Sequence, residues 1–230
     1  MRVAKFGDTH GEMEMGKMAH HNFKEGTSFT KDDMAVVLGD FGLFWSGSET
    51  EKYWLKWLQE KKYNIVVVPG NHENYEMIFS LPVVPFMGGE AYQGGKNIFV
   101  LKRGGVFNFG GKIYFAMGGA LSVDKEMRRN RISWWEEENP SKAEWDYAFE
   151  NLEKVNWKVD YVISHDIHET GRAILYGAEQ FKKCPVSLGL EAIREKLDYK
   201  TWYCGHHHID RYLVETRTQI LYNTYKVLEF

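Results

Sequence analysis

Short apolar runs that stop at small or polar residues constrain this chain more than any other feature. Five runs end this way, and the polar clusters that follow them are Asp8-Thr9-His10, Gly39-Asp40, Gly70-Asn71-His72-Glu73, Ser164-His165-Asp166 and Gly205-His206-His207-His208. Asp40 lies 32 residues after Asp8, and Asn71 lies 31 after Asp40, which fits a strand, a crossover helix and the next strand. Since parallel strands end at one edge of a sheet, we expect the clusters to meet there.

The residue spacing within each cluster also predicts convergence. Side chains two positions apart in extended backbone face the same side. The pairs expected to converge for this reason are Asp8 with His10 and His206 with His208. Asn71 and His72 are neighbours and should diverge, so that one can bind a metal while the other reaches a substrate. A flanking glycine favours a sharp turn close to a ligand, and the glycines so placed are Gly7, Gly39, Gly70 and Gly205.

The ordered series D-x-H, GD, GNH[E/D], H and GHxH resembles the motif series of the calcineurin-like metallophosphoesterase superfamily. The match runs from residue 7 to residue 208, at Asp8/His10, Asp40, Asn71/His72/Glu73, His165 and His206/His208. One GD or one His specifies little, but five motifs in order, each after a strand-like run, are specific as a set. The resemblance implies an α/β fold, a four-layer αββα sandwich of two mixed β-sheets flanked by helices.

The resemblance also implies a centre of two divalent metal ions and the chemistry of phosphoester hydrolysis. One ion would be held by Asp8, His10, Asp40 and His208, and the other by Asp40, Asn71, His165 and His206. A hydroxide bridging the ions would attack a phosphomonoester or phosphodiester. His72 would donate a proton to the leaving oxygen or steady the transition state, and Glu73 would orient His72 or a ligand imidazole. Ligands that mix imidazole with carboxylate favour Mn²⁺, Fe or Zn²⁺ over Mg²⁺.

The segment after Asp40 departs from one branch of the superfamily. Protein phosphatases carry GDxxDRG, whereas this chain reads GDFGLFW, so the arginine that would grip a phosphoprotein is missing. The apolar side chains here are Phe41, Leu43, Phe44 and Trp45. A base, a lipid or an aromatic leaving group could pack against them, although we expect at least two of the four to be core.

Residues 118–146 form the most individual part of the sequence, because they bring arginines close to tryptophans. Arg128 and Arg131 are candidates to clamp a substrate phosphate, and Trp134 is a candidate to stack on a base. The alternative is a solvated loop that Trp134 or Trp135 anchors to the core. This alternative is favoured, since charged runs usually face water.

Length, charge and cysteine content favour an intracellular enzyme of one domain, residues 1–230. The net charge of −3 and the pI near 6.3 give no general attraction to nucleic acid. Two cysteines are too few for a disulfide framework, and no apolar run approaches a membrane helix. The chain passes straight into the Asp8 motif with no space for a cleaved signal. We therefore expect a cytoplasmic protein whose substrate is a phosphorylated small molecule or nucleotide, with no membrane partner.

Hydrophobic periodicity predicts alternating strands and helices, with strands dominating the second half. The predicted strands lie near 2–6, 34–38, 64–68, 98–102, 105–109, 112–117, 159–164, 200–204, 210–216 and 219–227. The predicted helices lie near 11–23, 49–61, 74–79, 141–155 and 187–197. Phe109-Gly110-Gly111-Lys112 predicts a hairpin.

The sequence leaves two other functions open. A nuclease that acts on single-stranded nucleic acid would use the same chemistry and the 15% aromatic content, but the acidic balance disfavours it. A non-catalytic protein-binding scaffold with this fold would be expected to lose catalytic residues. Every inferred ligand and His72 are present, which favours the enzyme.

Overall fold

The computed structural model describes residues 1–177 and 184–230. The strands among these residues are β1 (Arg2–Phe6), β2 (Met34–Val37), β3 (Asn64–Val67), β4 (Val83–Phe86), β5 (Gly89–Gly95), β6 (Ile98–Leu101), β7 (Gly105–Phe109), β8 (Lys112–Met117), β9 (Tyr161–Ser164), β10 (Thr201–Cys204), β11 (Arg211–Leu213), β12 (Thr218–Ile220) and β13 (Tyr225–Glu229). The α-helices are α1 (Glu49–Gln59), α2 (Tyr75–Phe79), α3 (Lys142–Lys154), α4 (Glu169–Tyr176) and α5 (Pro185–Arg194).

The strands form two mixed sheets. The larger sheet has the order β13-β1-β2-β3-β6-β5-β4, and the smaller has the order β11-β12-β10-β9-β8-β7. In the larger sheet β1, β2, β3 and β6 are parallel, and β13, β5 and β4 run antiparallel to their neighbours. In the smaller sheet β8, β9, β10 and β12 are parallel. Each sheet therefore has a parallel centre whose strand ends can carry a site.

Three apolar layers hold the sheets and helices together. One lies between the larger sheet and α1 and α2, one lies between the two sheets, and one lies between the smaller sheet and α3, α4 and α5. The alternation of strand β1 shows how the sequence divides its side chains among these layers, because Val3 joins the layer between the sheets while Ala4 and Phe6 join the outer one. This is the four-layer αββα sandwich that the sequence predicts.

Local capping signals determine where the two longest α-helices, α1 and α3, begin. Ser48 caps α1 by accepting a hydrogen bond from the backbone N–H of Glu51. Ser141 and Glu144 form a capping box at the start of α3. Both helices begin within one residue of their predicted starts.

The helix predicted over 11–23 is wrong. Two short 3₁₀ segments lie within this range, at Gly11–Met13 and Met15–Met18, and a third follows it at Glu25–Ser28. Gly11 has a φ of +58°, and Glu14, between the first two segments, has a φ of −131°, so the backbone cannot continue as an α-helix. The apolar spacing that suggested a helix reflects Met15 and Met18, which are buried in the outer layer.

The strand predicted over 219–227 is also wrong as a single element. Its residues divide between β12, in the smaller sheet, and β13, which returns to pair with β1 in the larger sheet. The strand predicted over 210–216 is shorter, since β11 spans Arg211–Leu213. Three elements were not predicted, namely β4, β5 and α4. In the described ranges, no helix combines the length and the apolar content needed to cross a bilayer.

Candidate metal centre

The predicted ligands lie at one edge of the sandwich. Asp8, Asp40 and Asn71 follow β1, β2 and β3, which are neighbouring parallel strands of the larger sheet. His165 and His206 follow β9 and β10, neighbours in the smaller sheet. The backbone N–H of His206 donates to Asp8 Oδ1 at 2.9 Å, although 198 residues separate the two. The parallel topology thus brings the ends of both sheets together.

Six side chains at this edge form two compact groups. The first group is Asp8, His10 and His208, and the second is Asp40, His165 and His206. Within each group, one ligand atom from every residue lies within 4.8 Å of the others. Each group therefore offers one carboxylate and two imidazoles, a donor set suited to a borderline divalent cation.

The carboxylate of Asp40 lies between the two groups. Its Oδ2 is 3.4 Å from Nε2 of His10 in the first group, and its Oδ1 is 3.2 Å from Nε2 of His165 in the second. The backbone N–H of His72 donates to Oδ1 at 2.7 Å. Among the residues described, Asp40 is thus the one acid in contact with an imidazole of each group.

Asn71 presents its amide oxygen to the second group. Its Oδ1 lies 2.9 Å from Nε2 of His165, while its Nδ2 donates to Ser122 Oγ at 3.1 Å. Ser122 in turn donates to Glu138 Oε2 at 2.7 Å. Because Nδ2 is the atom that donates to Ser122, the oxygen of Asn71 is the atom turned toward the candidate ligands.

The backbone around the centre is strained at the ligands themselves. Positive φ values occur at His10 (41°), Asp40 (49°), His206 (64°) and His208 (50°). Such conformations are costly for residues with a side chain and cluster at functional sites. Gly39, with a φ of 97°, makes room for the second group, since a Cβ there would lie 2.0 Å from Nδ1 of His165.

Opposite charges in close contact shift the pKa values of the centre. Burial would lower the pKa of His165, but the charge of Asp40 and the hydrogen bond to it outweigh burial and raise this pKa to about 10. For the same reasons, with Glu14 contributing, the pKa of His10 rises to about 9. Burial works against ionisation of Asp40 as well, yet the neighbouring imidazoles hold its pKa well below the ordinary value. Without metal, the centre therefore neutralises its buried carboxylates with protonated histidines.

This donor set fits two divalent cations. Both groups combine carboxylate and imidazole, the amide oxygen of Asn71 is turned toward the second group, and Asp40 contacts both. A cation in each group would replace the imidazole protons as the positive charge that compensates Asp8 and Asp40.

His72 contacts Arg128, which the sequence suggested as a phosphate clamp but not as a partner of His72. Nη2 of Arg128 lies 2.7 Å from Nε2 of His72, and Nε of Arg128 lies 2.9 Å from Oδ1 of Asp124. Burial lowers the pKa of His72, and the charge of Arg128 lowers it further against the opposing effect of Asp40. His72 is therefore a neutral imidazole in the free centre, and its ring accepts a hydrogen bond from the guanidinium.

Among the described residues, Glu73 makes no hydrogen bond to His72 or to a ligand imidazole, which corrects the expectation for this residue. Its Oε1 accepts hydrogen bonds from the backbone N–H of Phe41 at 2.8 Å and of Gly70 at 3.3 Å, and its buried Oε2 has no partner among the described residues. Burial, with the nearby charge of Asp40, raises the pKa of Glu73 to about 8. Glu73 thus joins the Asp40 loop to the Asn71 loop and is a positioning residue.

Two of the three predicted substrate contacts do not reach the centre. Arg131 is exposed and faces Glu137 and Glu76, at 3.5 and 3.8 Å. Trp134 is buried, with its Nε1 donating to Glu138 at 2.6 Å, so its ring anchors the 118–146 segment instead of stacking on a base. Arg128 is the member of the set that the fold brings to the site.

The apolar residues after Asp40 divide as expected. Phe41 and Phe44 are buried in the outer core layer, and Leu43 is buried but also reaches a groove beside the centre. Trp45 is half-buried and lines the same groove. Two of the four are therefore core alone, and two face the groove.

A network of polar contacts beside the candidate ligands, centred on the buried Asp166, was missed by sequence reasoning. Oδ1 of Asp166 lies 3.2 Å from Nε2 of His207, whose Nδ1 is 2.8 Å from the hydroxyl of Tyr176. Oδ2 of Asp166 accepts from Ser187 at 3.0 Å. Asp166 follows one ligand directly, and His207 lies between two others, so adjacency was the available signal. These contacts position the loops that carry His165 and His206.

The fold is similar to that of one solved structure, and two further structures match at lower TM-scores. One solved crystal structure superposes with a TM-score of 0.56 at 14% identity, over 99% of this chain and 94% of that chain. Phosphopantetheinyl hydrolase from Mycobacterium tuberculosis gives 0.46 at 13% identity, over 96% of this chain and 87% of its own. NAD nucleotidase from Haemophilus influenzae gives 0.41 at 13%, over 96% of this chain and 41% of its own. Among curated protein sequences, none matches this chain.

A match of the sequence shows the family. The model of the calcineurin-like phosphoesterases matches residues 1–210, a span that contains every candidate ligand. This chain therefore belongs to the calcineurin-like phosphoesterase family, whose members are metal-dependent hydrolases of phosphoric esters.

Proposed function

We propose that this protein is a dinuclear metal-dependent phosphoesterase that hydrolyses a phosphomonoester or a phosphodiester. The observation that carries the proposal is the pair of carboxylate and imidazole groups that share contact with Asp40. One ion would be held by Asp8, His10, Asp40 and His208, and the other by Asp40, Asn71, His165 and His206. The mixed donors favour Mn²⁺, Fe or Zn²⁺.

The ions and the protein side chains have separate tasks in this proposal. When bound, the ions would lower the pKa of water at the centre and stabilise negative charge on the phosphoryl oxygens. With two divalent cations against the two carboxylates of Asp8 and Asp40, the edge is left with net positive charge, which attracts an anionic phosphate.

Arg128 and His72 would contact the phosphoryl group together. The guanidinium that now donates to His72 has further N–H groups for a phosphate oxygen, and Asp124 fixes its orientation. A bound phosphate would accept the guanidinium N–H that now goes to His72 and would add negative charge beside the ring, and both changes favour a protonated His72. As water attacks phosphorus, the bond to the leaving oxygen breaks, and that oxygen needs a proton that His72 is placed to supply.

The substrate that this site favours is a phosphorylated small molecule or nucleotide. The chain lacks the arginine of the GDxxDRG motif, and its net charge of −3 gives no broad attraction to nucleic acid. We further propose a cytoplasmic location, since Cys184 and Cys204 are both free and buried, as is usual in a reducing compartment.

Steady-state kinetics tests this function. Protein stripped with a chelator and reloaded with Mn²⁺ should hydrolyse p-nitrophenyl phosphate or its bis ester, and the panel of both esters decides between monoesterase and diesterase. His72→Ala should lower kcat by about 10² to 10⁴, whereas Arg128→Ala should raise KM more than it lowers kcat.

The neighbouring Arg129→Ala provides the matched control, because Arg129 is exposed and one position away. It should leave both constants unchanged. Reloaded protein that hydrolyses neither ester would refute the proposed function, and equal effects of Arg128→Ala and Arg129→Ala would refute the phosphate contact.

A further inference from the structure

A groove of about 410 Å³ opens beside the candidate metal centre. His10 and His72 line it on the side of the candidate centre, and residues of the first turns of α1 line it as well. Its size is in the range of pockets that bind small organic molecules. Since a scissile phosphate would lie beside His10 and His72, the groove offers adjoining space that a leaving group could occupy.

The lining of the groove is aromatic and apolar on its walls, with hydroxyl groups near the rim. The apolar side chains are Met13, Leu43, Trp45 and Trp54, and the hydroxyls belong to Ser46, Ser48 and Thr50. No lysine or arginine lines the groove in the described part of the chain, and Glu12 is exposed there. A leaving group with its own negative charge is therefore disfavoured, and a flat neutral one with polar edges is favoured.

The Trp45 wall is held rigid before any ligand arrives. One carboxylate oxygen of the buried Glu51 accepts hydrogen bonds from three consecutive backbone N–H groups, those of Trp45 at 3.1 Å, Ser46 at 2.7 Å and Gly47 at 3.1 Å. The Trp45 ring also packs edge-on against Trp135, with centroids 4.9 Å apart. A wall fixed in this way loses little conformational entropy when an aromatic ring stacks on it.

We propose that this groove receives the leaving group of the substrate and selects a neutral aromatic one, of the nucleoside kind. The inference rests on the proposed function, because it places the phosphate at His72. Trp45 and Trp54 would provide stacking surfaces, and the rim hydroxyls would bond to the polar edge of the base or sugar. Aliphatic lipid chains are the competing occupant, and they would gain nothing from the hydroxyl rim.

Direct binding tests the groove without depending on catalysis. Adenosine, which has no phosphate, should bind the Mn²⁺-loaded protein by calorimetry, and ribose and hexanol should bind far more weakly. Trp45→Ala should weaken adenosine binding by roughly 5- to 100-fold, the range for loss of one base stack. Thr50→Arg, at an exposed position, should block the groove without disturbing the core.

Tyr53→Ala is the matched control, because Tyr53 is 61% exposed, lies beside Trp54 and does not line the groove. It should bind adenosine as the wild type does. In kinetics, Trp45→Ala and Thr50→Arg should raise KM for adenosine monophosphate but not for glycerol phosphate.

The outcomes separate this inference from the proposed function. Equal adenosine affinity in Thr50→Arg and wild type, or hexanol binding as tightly as adenosine, would overturn the inference even if phosphoesters are hydrolysed. Adenosine binding that depends on Trp45 and Thr50, in a protein that hydrolyses no ester, would support the groove and reject the phosphoesterase.

Discussion

Lys5 is a buried ammonium that the fold tolerates at a cost, and replacing it should stabilise the protein. It lies in β1 between the two sheets and is fully buried. Its Nζ has one weak hydrogen bond, to the carbonyl of Val3 at 3.5 Å, and lies 4.7 Å from the ring centroid of Tyr203, with Tyr114 and Tyr161 also nearby. Burial, with a contribution from Lys226, lowers its pKa from 10.5 to about 7.

The size and sign of the effect follow from this pKa. The gap between 10.5 unfolded and about 7 folded corresponds to about 4 kcal/mol of lost stability near pH 7. Between these two values the unfolded chain binds more protons than the folded one, so stability rises with pH across that window. The destabilisation by the buried Lys5 charge is complete below pH 7 and absent above pH 10.5. Lys5→Met keeps an unbranched chain of similar volume, and it should gain about 2–4 kcal/mol near pH 7 once imperfect packing is discounted.

Guanidinium unfolding at pH 6, 8 and 10, with metal content held equal, measures this difference. The gain from Lys5→Met should shrink steadily as pH rises. Lys226→Met is the matched control, since Lys226 is exposed and pairs in register with Lys5, and it should change stability by less than about 0.5 kcal/mol. A Lys5→Met protein that is less stable than wild type at every pH would refute the reasoning and show that the tyrosine rings fully compensate the charge.

Three further predictions concern the metal centre. Asp166→Asn weakens the contact to His207, so we expect about a 10- to 100-fold loss of metal affinity in competition with a chelator, with unfolding of the metal-free protein as the check on folding. Glu73, with a pKa of about 8, is mostly protonated near pH 7, so Glu73→Gln should change stability by less than about 1 kcal/mol there; a larger loss would show that it carries a charge. Because the pKa values of His165 and His10 are raised to about 10 and 9, metal binding at pH 7 should release protons, and apparent affinity should rise with pH up to that range. Calorimetry in buffers of different ionisation enthalpy detects the release, and a pH-independent affinity would contradict it.

The sequence predicted which side chains the fold brings together, because the candidate ligands follow parallel strands directly. Once β1, β2 and β3 are adjacent, the positions of Asp8 and Asp40 relative to one another are nearly determined by topology. Contacts made by the long connecting segments were harder to predict. The pairing of Arg128 with His72 joins residues 56 apart through an irregular segment, and no local pattern distinguishes Arg128 from Arg131.

The missed elements have weak local signals for physical reasons. Strand β4 carries Pro85 at the sheet edge, and β5 is rich in glycine and polar residues, so neither shows an alternating β-branched pattern. Helix α4 has eight residues and an unusual cap, in which Nδ1 of His168 accepts from the backbone N–H of Gly171. Residues 219–227 divide between two sheets because β13 pairs with β1 at the edge of the larger sheet. This pairing depends on the tertiary structure, so no local pattern predicts it.

The sharing of Asp40 by two ions is the central claim, and counting metal tests it most directly. Elemental analysis after reconstitution with Mn²⁺ should find two equivalents in the wild type, about one in His208→Ala, and fewer than one in Asp40→Ala. Two equivalents retained by a folded Asp40→Ala protein, or fewer than one in the wild type, would contradict the account.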